Sequence, residues 1–252
     1  MKKKRTFAQP FAAMKQFISK IDKQIIPTLP QAVFSGEIQV YQADKVPQEV
    51  IDYIKSQKMI GFDTETRPSF QKGVHYDLAL VQIACEKECF LIRLTGCRFP
   101  EFVREVFCDP DILKIGLSCR DDFSRMRSAI AKKKSRSLRN RLFRSRKAKD
   151  SAVDESVFAP QNFVEIQDYV KPFGIEDMSL QKIYAIVFNK RISKTQQLSN
   201  WEAKELSPAQ QQYAALDAWA VKEIYLELLS LKTQEPAAEQ PAQEKKQEPT
   251  QA

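Results

Sequence analysis

Four acidic side chains and one tyrosine stand at spacings suited to divalent-metal chemistry. Asp63 and Glu65 lie in Gly61-Phe62-Asp63-Thr64-Glu65, Asp122 follows Lys114-Ile115-Gly116, and Tyr213 and Asp217 lie in Tyr213-Ala214-Ala215-Leu216-Asp217. Hydrolysis of a phosphodiester needs an activated water and a way to hold charge on the departing oxygen, and two divalent ions about 3.5–4 Å apart can supply both. Carboxylate oxygens suit Mg²⁺ or Mn²⁺. Residues i and i+2 of a strand face the same side, so Asp63 and Glu65 can share an ion. Residues i and i+4 of a helix lie one turn apart, which stacks Tyr213 over Asp217. Taken singly, each piece has an ordinary structural explanation. Asp-x-Glu after a strand is common, Asp122 could cap a helix, Tyr213 could be a half-buried core residue and Asp217 part of a solvated face.

The flanking elements must bring these groups together. Glu37-Ile38-Gln39-Val40-Tyr41 alternates like a strand. Pro47 to Gln57 reads as a short helix with Val50, Ile51 and Ile54 on one side. Met59–Phe62, Leu78–Cys85 and Cys89–Leu94 read as three successive strands in an antiparallel meander, the first ending at the acidic pair. Helical spacing follows at Phe99, Phe102, Val103 and Val106, then a short strand from Ile112 to Leu117 and a helix starting near Asp121. The core resumes at Phe163-Val164-Glu165-Ile166. Ser179 to Asn189 is an amphipathic helix with Leu180, Ile183, Tyr184 and Val187 inward. Ser207 as N-cap and Pro208 at the first helical position open a last helix that runs to about Leu231. Strands first, then strands alternating with helices, predict an α/β mixed sheet flanked by helices.

In this order the motifs resemble the DEDD exonuclease superfamily in its tyrosine-bearing (DEDDy) branch, which includes ribonuclease D and the exonuclease domain of the Werner syndrome protein. Besides the acids, the resemblance is carried by Ala79-Leu80-Val81-Gln82-Ile83, Lys114-x-Gly116, and Ser199-Asn200-Trp201 with Leu206-Ser207-Pro208 leading into Gln212-Tyr213-Ala214-Ala215-Leu216-Asp217-Ala218. The Ser-Asn-Trp and Tyr-Ala-Ala stretches are closer to the Werner-type domain. The resemblance spans roughly residues 35–231 and implies a ribonuclease H-like fold. It further implies a metal-dependent 3′→5′ exonuclease that releases nucleoside monophosphates with two ions, Mg²⁺ or Mn²⁺. By position, Asp63 would bridge both ions, and Glu65 and Asp217 would complete the tighter site. Asp122 would hold the second ion, directly or through water, and Tyr213 would orient the attacking water. The backbone near Thr64 and Glu65 would face the terminal nucleotide. Asp121 is a second candidate in the middle motif, but the Lys-x-Gly-x5-Asp spacing selects Asp122.

Composition sets the remaining expectations. The chain has 252 residues, 43% of them hydrophobic, enough for one sizeable domain. No run of about 18 apolar residues predicts a membrane span. The basic start Met1-Lys2-Lys3-Lys4-Arg5 lacks the apolar stretch of a signal peptide. Five cysteines, Cys85, Cys89, Cys97, Cys108 and Cys119, lie mostly in apolar segments, which favours reduced thiols and a cytoplasmic location. The expected layout is a basic N-terminal extension over 1–34, with a helix from Phe11 to Ile26, the catalytic unit over 35–231, and a disordered tail over 232–252.

The net charge of +8 is concentrated in one place. Ten of the 40 Lys and Arg lie between Lys132 and Lys149 with no acid among them, leaving 30 against 32 Asp and Glu elsewhere. This basic insert, about residues 130–156, is either a nucleic-acid clamp near the site or a solvated loop. The expected partner is the 3′ end of DNA or RNA, with no membrane; the oligomeric state is open. Two rival readings stand beside the nuclease: a catalytically silent nucleic-acid-binding module, and a phosphodiesterase acting on small nucleotides.

Overall fold

In the computed structural model the described residues are 17–74, 76–141 and 158–233, with side chains described outside 132–141. The strands are β1 (Glu37–Gln42), β2 (Met59–Thr66), β3 (Leu78–Ala84), β4 (Glu88–Arg93), β5 (Leu113–Gly116) and β6 (Phe163–Glu165). The helices are α1 (Gln48–Ser56), α2 (Glu101–Cys108), α3 (Cys119–Arg141), α4 (Ile166–Tyr169), α5 (Leu180–Phe188) and α6 (Pro208–Thr233). The six strands form one mixed sheet in the order β1-β4-β3-β2-β5-β6. The expected meander is present, since β2, β3 and β4 pair antiparallel. β1 adds in parallel to β4 at one edge, and β5 then β6 add in parallel beyond β2 at the other.

The sheet has an apolar layer on each face because its inner strands are apolar at nearly every position. All seven residues of β3 are buried. On one face α6 crosses β2, β3 and β4, with Ala214, Ala215, Ala218 and Val221 in the core. On the other face α1, α2 and α3 cover Ile60, Phe62, Val81 and Ile83. There Phe62 stacks on Phe123 at 5.6 Å between centroids and meets Phe107 edge-on at 4.9 Å. Each such pair adds about 0.5–1.5 kcal/mol to the burial of its rings. This aromatic cluster fixes the start of α3 against β2.

Glycine sets the closest approach. A Cβ on Gly61 would lie 2.0 Å from the Ala218 carbonyl oxygen, so α6 reaches β2 only because this position lacks a side chain. The start of α6 matches expectation. Ser207 Oγ accepts from the Gln210 N–H at 3.2 Å, and Gln210 Oε1 accepts from the Ser207 N–H at 3.0 Å, a reciprocal capping box. In α5, Ile183 and Tyr184 are buried, while Leu180 and Val187 are half-buried.

The N-terminal helix is not formed in the described residues. Residues 17–25 contain no helix. The Phe17 N–H donates to the Phe173 carbonyl and the Ile21 N–H to Asp177 Oδ2 at 2.9 Å, while Ile21 and Ile26 pack with Ala185. Backbone donors that a helix would satisfy internally are used instead to fasten this segment to the body. Phe11 to Gln16 lie outside the described residues, as does the tail from 234. The first part of the basic insert is helical, because α3 continues unbroken to Arg141. Residues 142–157 lie outside the described part.

Candidate active site

The parallel strands β2 and β5 pair as far as Gly61 and Ile115, and β5 ends at Gly116. Asp63 to Thr66 therefore run on past the end of their parallel neighbour. Gly61 faces α6, so by alternation Asp63 and Glu65 face α6 as well, and Phe62 and Thr64 face the α3 layer. Asp217 lies one turn before Val221 on the buried face of α6. One carboxylate oxygen from each of Asp63, Glu65 and Asp217 lies within 4.8 Å of the other two. These three predicted residues converge.

Burial dominates their electrostatics, and the Arg125 and Lys194 charges offset it only in part. Removal from water, followed by the Asp217 charge, pushes the Asp63 carboxyl up to about 7. Desolvation, then Asp63 and Asp217, push Glu65 up to about 10. Asp217 is pushed to about 7 by burial, against the Tyr213 hydrogen bond and the Lys194 charge, which favour the anion. Asp217 is only 6% exposed, whereas Asp63 and Glu65 keep intermediate exposure. Burial and the adjoining Asp217 raise the Tyr213 hydroxyl far above the usual phenol range, so it remains a donor.

Asp122 is brought alongside but turned differently. It sits in the first turn of α3 and is 1% exposed, while Asp121 is exposed, in line with the spacing argument. Its Oδ1 accepts from Thr64 Oγ1 at 2.5 Å and from Arg125 Nη1 at 2.9 Å. It is not among the three converging carboxylates. Desolvation and the Asp63 charge still raise its pKa to about 8. Helix capping is done by another residue: Glu165, at the end of β6, accepts from the Ser118 N–H at 2.9 Å and the Cys119 N–H at 2.8 Å. The left-handed Ser118 (φ 63°) makes the sharp turn from β5 into α3.

The Ser-Asn-Trp stretch acts through α6. Gln210 Nε2 donates to Ser199 Oγ and to the Asn200 carbonyl, at 3.0 and 3.2 Å. The fully buried Trp201 packs 6.0 Å from the Tyr213 ring. Arg93 ties the same loop down by donating to the carbonyls of Lys204, at 2.6 Å, and Ala203. Sequence reasoning missed Thr64, Arg125, Glu165 and Gln82. Arg125 had a signal, being three residues after Asp122 on one helix. Gln82 pairs directly across from Asp63, is fully buried, and both its side-chain polar atoms lack a partner. A buried amide left open beside a cluster of acids marks a place where ions or water belong.

The model of the 3'-5' exonuclease family matches residues 38–231. The chain belongs to this family. Among curated proteins it is 26% identical over 176 residues to the exonuclease mut-7 homolog of Aedes aegypti, covering 67% of this chain and 23% of that protein. The chain thus spans about a quarter of the length of that relative. Among solved structures, the EXO domain of Aedes aegypti Nibbler superposes with a TM-score of 0.59 at 22% identity, covering 78% of this chain and 89% of that one. Escherichia coli RNase D, an exoribonuclease involved in structured RNA processing, superposes with a TM-score of 0.58 at 18% identity, covering 78% and 45%. The fold is the ribonuclease H-like mixed sheet of these exonuclease domains. All five cysteines are free, and no helix among the described residues is long and apolar enough to cross a membrane.

Proposed function

We propose that this 3'-5' exonuclease family member is an active, metal-dependent enzyme that hydrolyses the terminal phosphodiester of a nucleic-acid 3′ end and releases nucleoside monophosphates. The observation that carries this reading is the convergence of Asp63, Glu65 and Asp217 within 4.8 Å in largely desolvated surroundings. Three carboxylates so placed repel one another, and a hard dication relieves that repulsion. The donor set is all oxygen, which fits Mg²⁺ or Mn²⁺. When bound, two such ions supply the charge that acidifies a water and steadies the departing oxygen.

The chain's own groups then have distinct tasks. Asp63 raises the pKa of both Glu65 and Asp122, so it lies electrically between the two halves of the site and suits a shared ligand. Glu65 and Asp217 complete one side, and Asp122, steadied by Thr64 and Arg125, completes the other. The Tyr213 hydroxyl, held protonated and supported by Trp201, donates to Asp217 in the metal-free chain; with an ion on that carboxylate the hydroxyl would be released to orient the attacking water. Phe70, 81% exposed in the loop after β2, offers a ring on which a terminal base can stack. RNA as a ligand class has support from a relative of the same fold, the RNase D of Trypanosoma brucei, which was solved in complex with RNA U12 (TM-score 0.58, 14% identity).

The rival is a silent module that binds nucleic acid without cutting it. A 3′-end panel of DNA and RNA oligonucleotides, labelled at the 5′ end, separates the two. The parent should shorten them stepwise with Mg²⁺ or Mn²⁺ and stop in chelator. Asp63→Ala should lose several orders of magnitude in rate, beyond the roughly 100- to 1000-fold typical of removing one stabilising donor, while keeping its circular dichroism. Cleavage in excess chelator, or full activity in Asp63→Ala, would refute the mechanism.

A further inference from the structure

The helix that presents Asp122 runs on well past its active-site end. Cys119, Phe123 and Met126 of α3 are buried, and Ala129 and Ile130 pack at the margin of the same core cluster. The helix then continues through Arg141. From Phe123 to Arg141 its sequence holds Arg125, Arg127, Lys132, Lys133, Lys134, Arg136, Arg139 and Arg141, and no acid. Ala, Lys and Arg are strong helix formers, which accounts for the continuation. Charge opposes it. Lys132, Lys133 and Arg139 each stand three or four residues from Arg136, a spacing at which like charges repel by about 0.2–0.5 kcal/mol per pair. Between Phe123 and Arg141 the helix carries no acid of its own to offset this, and a polyanion is the chemically complementary partner.

We infer that the α3 extension is a phosphate track that holds the substrate strand upstream of the 3′ end being cut. The inference rests on the reading of the carboxylate site given above. It adds a binding surface separate from the carboxylates and assigns it to the phosphodiester backbone of the same strand. At about 1.5 Å per residue, Lys132 lies about 15 Å and Arg141 about 29 Å along the helix from Asp122. A stacked strand, with one phosphate per about 3.4 Å as in a duplex, covers these distances with about four and about eight nucleotides, and an extended strand with fewer. The track therefore engages phosphates from about the fourth to the eighth nucleotide back from the end. It reads charge and not bases, so DNA and RNA are held alike.

The test is the full-length variant with Lys132, Lys133, Lys134, Arg136, Arg139 and Arg141 all replaced by Gln, which keeps helix propensity and removes six charges. Fluorescence anisotropy in chelator, where no cutting occurs, gives Kd for single-stranded 4-, 8- and 12-mers of RNA and DNA across a salt series. The parent should gain affinity from 4 to 8 nucleotides and little beyond. The variant should lose that gain. Loss of three single-strand contacts lowers the slope of log K against log salt by about 2. With Mg²⁺, cutting of a trinucleotide should be equal in the two proteins. An unchanged slope and length dependence would overturn the track, as would an equal loss on trinucleotide and 12-mer, which would point to a disturbed active site. Binding of the parent to phosphatidylserine vesicles that the variant lacks, with nucleic-acid affinity unchanged, would also overturn it. Because anisotropy needs no hydrolysis, an inactive carboxylate site shows itself in the cutting assay alone.

Discussion

Replacing Asp217 by Asn tests the carboxylate cluster through stability, independently of any substrate. Asp217 is the most enclosed of the three converging acids, at 6% exposure, and its carboxyl is raised from an ordinary 3.8 to about 7, first by burial. The folded chain thus holds a proton that the unfolded chain has released. The resulting contribution to stability is fully present below pH about 4 and is lost as the pH rises towards and through about 7. A shift of this size corresponds to about 2–4 kcal/mol by pH 7. For a domain of this length that is roughly 5–15 °C in Tm. Asn keeps an oxygen for the Tyr213 hydroxyl and never ionises, and it removes the charge that raises Asp63 and Glu65. In chelator, melting curves from pH 5 to 8 should therefore fall more steeply for the parent than for Asp217→Asn, with the variant the more stable at pH 8. Adding Mg²⁺ at pH 8 should narrow this gap by stabilising the parent more than the variant. An ion at 100 times its Kd stabilises by about 2.7 kcal/mol, and the variant lacks one ligand. Parallel pH curves without metal, or equal gains with it, would show that these acids neither repel one another nor bind an ion.

Two further outcomes follow from the same geometry. Tyr213→Phe keeps the ring against Trp201 and loses the hydroxyl, so turnover should drop by about 10- to 1000-fold with metal affinity unchanged, measured as kcat beside a Mg²⁺ titration of Tm; an unchanged rate would return Tyr213 to a packing role. Gly61→Ala places a Cβ 2.0 Å from the Ala218 carbonyl oxygen, so α6 must move away from β2, at a cost of about 3 kcal/mol or more. A Tm within a degree of the parent would mean that α6 is not held at this contact.

How much of this was legible in the sequence depends on the reach of each interaction. Local patterns carried well. The i, i+2 acids on β2, the i, i+4 pair on α6, the Ser207 cap and the β2-β3-β4 meander are each set by neighbours a few residues apart. The pairing of β1 with β4 and of β6 with β5 was not legible, because parallel edges join segments distant in the chain. Residues 17–26 misled for a related reason. Helical spacing was present, but hydrogen bonds to Phe173 and Asp177, far along the sequence, took its donors. For the basic insert, the like charge left clamp and loop both open, and its first part is helical, with no Gly or Pro before Arg141 to end α3.

Asp122 shows where spacing stops being informative. Its distance from Lys114-x-Gly116 is enough to choose it over Asp121, because β5, the Ser118 turn and the first turn of α3 form a fixed path. The direction of its carboxylate depends on groups that spacing cannot reveal. Thr64 comes from the opposite face of the strand that carries Asp63 and Glu65, and Arg125 from the next turn of α3. Glu165, 46 residues downstream, holds the helix start by its Cys119 N–H. Asp122 is thus positioned by contacts made on the α3 side of the sheet, whereas the other three acids meet on the α6 side. Among the described residues the two sides adjoin at the end of β2, which runs past β5: Asp63 is raised by Asp217 and itself raises Asp122, and Glu65 is raised by Asp63, Asp217 and Asp122. Asp63 and Glu65 are the residues through which the two sides couple, and replacing Asp63 is the test that decides between an enzyme and a binding module.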